Sequence, residues 1–366
     1  MSTSTIPGPV DRIVAVEEHV MPDFLSEYMA IPRANLEANY WVAAERRLRD
    51  VAAERLADMD SHGVTMQILS ATSPGIQIEP DARKATELAT RTNDWMAAAI
   101  ASAPDRFAGF ATVALQDPNH AVRELKRAVV DLGMVGVLIN GHTCGAYLDE
   151  PQFRDFLATV ADLGVPLYLH PASSPDTCAW MTGHSELRGP IFGWGVETAA
   201  HFLRLLFSGV FDDDQTAGLT VMMGHAGEGL LAAPSRLDSR WKVANPARHG
   251  YHLEHLPSHY LRTNLFVTLS GVSDPMAFWA ALAVVGPSRM GMALDYPMED
   301  LEPQLRAMRS GWWTDELSRR ADDQLVERVA WRNVSEILRL SPAADGDRGE
   351  GSYGRSRSTP EVHTIT

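Results

Sequence analysis

Short apolar runs rich in β-branched residues alternate along this chain with longer stretches of helical period. Eight runs have strand length: RIVAVEEH (12–19), GVTMQILS (63–70), FAGFATVA (107–114), GVLIN (136–140), PLYLH (166–170), LTVMMGH (219–225), LFVTLS (265–270) and RMGMALD (289–295). Between them lie segments such as DARKATELATRTNDWMAAAIA (81–101) and DPNHAVRELKRAVVDLG (117–133). Both open on an aspartate and the second closes on a glycine, the start and stop signals of helices. Near-continuous apolar strands separated by helices predict a parallel sheet covered on both faces. Eight such units predict an α/β fold of the TIM type, a (β/α)8 barrel, with a doubly wound open sheet as the alternative.

Two inserts break the rhythm, 20–55 after the first strand and 171–194 after the fifth. Long first and fifth βα loops on a barrel build an active-site mouth or a subunit interface. Residues 341–366 are poor in apolar side chains and predict a disordered tail. With 1–11 as an N-terminal extension, the barrel is expected to span 12–340, with no internal repeat and no clear second domain.

The polar residues inside this pattern fall at strand ends. The first strand ends in Glu17, Glu18 and His19, the fifth at His170, the sixth at His225 and the eighth at Asp295. In a barrel these ends ring one mouth. Carboxylates and imidazoles gathered there are the ligands of a divalent transition metal. Strand alternation sends Glu17 and His19 to one face and Glu18 to the other. The inward pair is therefore Glu17 with His19, and Glu18 lies behind it.

Composition narrows the partners. A formal net charge of −15 excludes nucleic acid as the main partner, since phosphate binding needs a basic footprint. An anionic substrate would need local cations, a metal or buried arginines, to overcome that field. No apolar run approaches the ~20 residues of a membrane span. The N-terminus lacks the basic and apolar blocks of a signal peptide. The only cysteines, Cys144 and Cys178, predict two reduced thiols in a cytoplasmic protein without membrane contact.

AVEEHV (15–20), HP (170–171), GHAGEGL (224–230) and DYP (295–297) resemble the amidohydrolase superfamily. More closely they are similar to its metal-dependent decarboxylases of aromatic acids, those acting on γ-resorcylate, 2,3-dihydroxybenzoate and 5-carboxyvanillate. RLADMDSHGVTMQILS (55–70), RTNDWMAAAIASAPDRFAGFATVALQDP (91–118), DLGMVGVLING (131–141) and ETAAHFLRLLFSGVFD (197–212) extend the resemblance over about 12–340. The superfamily's usual first-strand motif is His-x-His, and Glu-x-His belongs to the decarboxylase branch.

The resemblance implies metal ligands Glu17, His19, His170 and Asp295. It also implies non-oxidative loss of CO2 from an ortho-hydroxy aromatic acid, a small aromatic carboxylic acid as substrate, no organic cofactor, and Asp295 as proton donor to the ring. The fourth strand ends LINGHT without the lysine of binuclear relatives, so one divalent ion is expected, Mn²⁺ in preference to Zn²⁺ because the extra carboxylate hardens the site. His225 is implied to touch substrate and Glu228 to orient it; the other reading of Glu228 is an acid at a helix N-terminus. Arg236, Asn140, Arg55 and His184 are candidate substrate contacts. Arg55 is otherwise a surface or interface ion pair, and His184 an exposed loop residue. Trp194 and Phe192 form an aromatic wall or part of the core. Relatives are commonly homodimers or homotetramers. The alternative activity is hydrolysis of an amide, lactone or ring C–N bond by metal-activated water.

Overall fold

The apolar runs become strands β1 (Val14–Val20), β2 (Met66–Ala71), β3 (Phe107–Ala111), β4 (Gly136–Asn140), β5 (Leu167–His170), β6 (Val221–Met223), β7 (Leu265–Thr268) and β8 (Met290–Gly291). They pair in parallel in the order of the chain. The ring shuts through a parallel bridge between Val16 and Ala293, where the Val16 amide donates to the Met292 carbonyl at 3.1 Å. This is the (β/α)8 barrel, and the open-sheet alternative is excluded. The computed structural model describes residues 12–29, 36–176, 178–244, 253–311 and 323–340. The predicted extension (1–11) and tail (341–366) lie outside the described residues.

The helices begin where the sequence places them. Asp81 accepts the amides of Arg83 and Lys84 ahead of the helix Ala82–Ser102, and Asp117 accepts that of His120 ahead of Pro118–Val130, with Pro118 in the first turn. Val16, Ile68, Phe110, Leu138, Tyr168, Met222 and Phe266 fill the barrel interior, while the alternate strand residues pack outward on the helices. Among the described residues no helix is long and apolar enough to cross a membrane.

β1 departs from regular pairing where the chemistry sits. Ala15 pairs with Gln67 and Glu18 with Leu69, so a three-residue step meets a two-residue step. The extra residue is a β-bulge, absorbed by Glu17 at φ 67° in the left-handed region. Val14 and Val16 point into the barrel, and unbroken alternation would send Glu18 in after them. The bulge switches the parity, so that Glu17 and His19 turn inward and Glu18 faces the helices.

Arg55 locks this geometry from behind. It lies fully buried in the helix Ala53–His62. Its guanidinium donates to the His19 carbonyl (2.6 Å), the Asp50 carbonyl (2.9 Å) and Gln67 Oε1 (3.0 Å), and stands 4.5 Å from the Tyr296 ring centre. The expectation of a substrate-binding Arg55 is thereby corrected, and so is the surface ion pair: its donors serve backbone carbonyls and the Gln67 side chain of the scaffold. Arg55→Ala strips those acceptors of a charged donor inside the fold and should cost about 3 kcal/mol, read as a lowered urea midpoint. A loss under about 1 kcal/mol would show the lock to be dispensable.

Candidate metal centre

Three strand-end side chains converge first. One ligand atom each from Glu17, His19 and His170 lie within 4.8 Å of one another, and all three residues are buried. His170 Nδ1 sits 2.8 Å from the Pro171 carbonyl, which can only accept, so Nδ1 carries the proton and Nε2 presents a bare lone pair. That Nε2 lies 3.5 Å from Glu17 Oε1. Burial, with His19 adding to it, pushes the His170 pKa well down and keeps the ring neutral. Asp295 follows β8 at φ 53°, and its Oδ1 is 3.1 Å from His19 Nε2. Three of the four residues implied as ligands therefore form one cluster, and Asp295 borders it beside His19.

The two oxygens of Glu17 have different fates. Oε2 accepts from Tyr168 Oη at 2.6 Å and from Ser270 Oγ. Oε1 is buried with no hydrogen-bond partner among the described residues. A buried carboxylate oxygen facing the His170 lone pair is costly unless a cation completes it, and two carboxylates with two imidazoles suit Mn²⁺ or Zn²⁺. The site fits a divalent ion. Gly224 is required by contact here, since a β-carbon at that position would stand 2.7 Å from Glu17 Oε2. Glu18 takes no part. Its Oε1 accepts the Leu294 amide at 2.9 Å, and burial pushes its carboxyl well up, toward the neutral acid.

His225 closes the site from β6. Its Nδ1 lies 2.7 Å from Glu228 Oε1, and its Nε2 3.9 Å from Asp295 Oδ2. The sequence reads this segment as a strand giving way to a helix. Instead residues 225 to 229 run at φ 51°, 54°, 79°, 55° and 74°, a turn of left-handed backbone. The segment gives Glu228 no right-handed first turn to cap, and its carboxylate instead makes its contact with the His225 ring. Burial disfavours the His225 cation, but Glu17, Glu228 and Asp295 outweigh it and hold its pKa well above the usual value. Burial likewise opposes the Asp295 anion, yet the neighbouring His19 and His225 imidazoles keep that carboxyl well below its usual range.

These groups open into a cavity of about 270 Å³ that also touches Met29, Leu36, Thr72, Trp194, Val272 and Glu299. Trp194 is the aromatic wall, 6.2 Å from His170 between ring centres, with Nε1 donating to Ser173 Oγ at 3.0 Å. The other predicted contacts lie elsewhere. Phe192 is exposed and packs on Trp180. His184 is exposed and pairs with Glu186 at 2.9 Å. Arg236 belongs to a separate, mostly apolar groove with Leu230, Leu237 and Trp241. Asn140 sits beside His170 in register, but its Nδ2 donates to the Ala71 carbonyl at 3.3 Å and it does not line the cavity. Sequence reading missed Tyr168, Ser270 and Glu299. Tyr168 carried a signal: a tyrosine two positions before His170 shares its face, and a buried phenol needs a partner.

A (β/α)8 barrel with two carboxylates, two imidazoles and an oriented histidine at the C-terminal ends of its strands defines a metal-dependent enzyme of the kind that works at a barrel mouth. The amidohydrolase family profile matches residues 19–340, and the chain belongs to that family. Relatives place it beside the aromatic-acid decarboxylases. It is 38% identical over 334 residues to the γ-resorcylate decarboxylase of Rhizobium sp. (strain MTP-10005), covering 88% of this chain and 98% of that one. Its fold matches the dihydroxybenzoic acid decarboxylase of Polaromonas sp. JS666, solved with manganese and the inhibitor 2-nitroresorcinol, at a TM-score of 0.81, 31% identity, and 91% and 98% coverage. It also matches the 5-carboxyvanillate decarboxylase of Novosphingobium aromaticivorans, solved with manganese and 4-hydroxy-3-methoxy-5-nitrobenzoic acid, at a TM-score of 0.82, 33% identity, and 93% and 100% coverage.

The facing of the two glutamates yields a direct test. Glu17→Gln should abolish stoichiometric Mn²⁺ or Zn²⁺ uptake in equilibrium dialysis, while Glu18→Gln keeps it. Equal losses would show the bulge assignment to be wrong.

Proposed function

We propose that this protein is a metal-dependent, non-oxidative decarboxylase of an ortho-hydroxy aromatic acid that works without an organic cofactor. The observation that carries the reading is the orphaned Glu17 Oε1 facing His170 beside an Asp295 held by His19 and His225, in a chain whose relatives are such decarboxylases. Glu17, His19, His170 and Asp295 would hold one divalent cation, and manganese in two solved relatives favours Mn²⁺ over Zn²⁺. When bound, that ion supplies Lewis acidity and a fixed orientation for a carboxylate and its neighbouring hydroxyl.

The chain's own groups handle the proton and the charge. His225, cationic and held by Glu228, offsets negative charge that the overall balance of −15 would otherwise repel. In this reading Asp295 takes the proton that it delivers from the substrate's own acidic groups. Asp295 passes that proton to the ring carbon bearing the carboxyl group, using ring π electrons made available by the ortho oxygen. The bond to the carboxyl carbon then breaks, its electron pair restores aromaticity, and CO2 departs. No redox change occurs, which accounts for the lack of need for an organic cofactor. Trp194 and the apolar side chains Met29, Leu36 and Val272 form the dry part of the wall against which a ring packs.

Incubating the Mn²⁺-loaded protein with a panel of hydroxybenzoates in H2O and D2O should give CO2 with one deuterium at the vacated ring carbon. Turnover of an amide or lactone, with the whole panel inert, would replace this reading by hydrolysis. Glu228→Gln should lower kcat by about 10–100-fold, as removal of a histidine's orienting partner does, with metal content unchanged. A fall confined to KM would assign Glu228 to substrate binding instead.

A further inference from the structure

Resting on that reading, we propose that Gln304 is a positioning residue for the reaction: its side-chain amide ties the loop after β7 to the backbone ahead of Asp295 and so fixes that carboxylate against His19 and His225. Gln304 lies buried in the helix Leu301–Arg306. Its Oε1 accepts the Gly271 amide at 3.1 Å, and its Nε2 donates to the Leu294 carbonyl at 3.1 Å. Each partner adjoins a residue of the site. Ser270, just before Gly271, donates to Glu17 Oε2 and accepts the His225 amide at 3.3 Å. Leu294 comes directly before Asp295.

The backbone alone does not make this connection. Pairing of β7 with β8 ends at Thr268 and Gly291, and among the described residues no ladder bond joins the two strands beyond that point. Gln304 stands where the ladder stops. A glutamine amide carries both an acceptor and a donor, so one side chain does what a peptide does between neighbouring strands. Leu294 is gripped at both ends of its backbone, its amide by Glu18 Oε1 at 2.9 Å and its carbonyl by Gln304. Asp295 follows at φ 53°, a left-handed conformation that persists only where its surroundings over-determine it. Released at Leu294, that backbone relaxes and carries the carboxylate away from His19 Nε2, now 3.1 Å distant. Asn333 provides the contrast. It is equally buried and donates to the Pro287 and Met290 carbonyls at 2.7 and 2.8 Å, gripping β8 at the end remote from the site.

Mn²⁺ affinity in equilibrium dialysis and the urea midpoint of the metal-free protein separate positioning from cohesion. Gln304→Met, similar in reach but without polar ends, should weaken Mn²⁺ binding by about tenfold or more, as loss of a ligand's outer partner does. At saturating Mn²⁺ the same variant should lose about tenfold or more in kcat with little change in KM. Gln304→Asn keeps an amide but falls one methylene short of spanning both partners. It serves if the methionine variant does not fold, and should weaken Mn²⁺ binding in the same direction. Asn333→Leu should lower the urea midpoint comparably and leave Mn²⁺ affinity and kcat at the wild-type values. Unchanged Mn²⁺ affinity in the Gln304 variants, or an equal loss in Asn333→Leu, would overturn the assignment. Because metal uptake is read without turnover, a failure here is distinguishable from a failure to release CO2 in the hydroxybenzoate panel.

Discussion

The structure is organised around one half-satisfied carboxylate. Glu17 enters the barrel at the point where β1 slips register, gives one oxygen to Tyr168 and Ser270, and leaves the other bare. Everything else at the mouth is arranged about that bare atom. His170 turns its lone pair toward it because the Pro171 carbonyl holds the opposite nitrogen's proton. Gly224 supplies no side chain because the space is occupied by the same carboxylate. Arg55, outside the cavity lining, fixes the backbone carbonyl of His19. A buried anion of this kind is tolerated only when a counter-charge is part of the design.

Backbone strain is concentrated in the same place. Glu17, His225, Ala226, Glu228 and Asp295 all adopt positive φ without being glycine. Each such residue costs about 1–2 kcal/mol, in proteins whose net stability is on the order of 5–15 kcal/mol. Sites that must aim side chains against their own local preference carry this kind of cost. Here the left-handed turn from 225 to 229 lets two residues three apart face each other across a bond of 2.7 Å.

Much of this was legible in the residues, and the failures have physical causes. The strands were readable because buried parallel strands are near-continuous apolar runs, and the cluster of acids and imidazoles because charged residues at their ends have few other reasons to be there. Alternation gave the correct face for Glu17 and His19, although it was the bulge that made it so; alternation carried on from Val14 and Val16 points to Glu18. Arg55 and Arg236 looked like anion binders because composition does not say which way a guanidinium faces. One turned out to serve backbone carbonyls, the other to line a neighbouring groove. Glu299 left no trace because an acid four residues after Asp295 is unremarkable until the loop brings it back to the cavity.

The closure of the barrel has a thermodynamic consequence. β8 is two residues long, and its seam with β1 rests on the Val16–Ala293 bridge, the His19 amide on the Tyr296 carbonyl at 2.7 Å, and the Glu18 carboxyl standing in for a strand carbonyl opposite Leu294. Glu17 and His19 lie on one side of that seam and Asp295 on the other. A cation held between them is therefore a clasp across the most lightly bonded joint of the ring. Its binding free energy is added to the cohesion of the whole barrel, about 2.7 kcal/mol when the free ion stands at a hundred times its dissociation constant. Catalytic readiness and resistance to unfolding are thus linked through a single equilibrium, and the concentration of a small ion governs both.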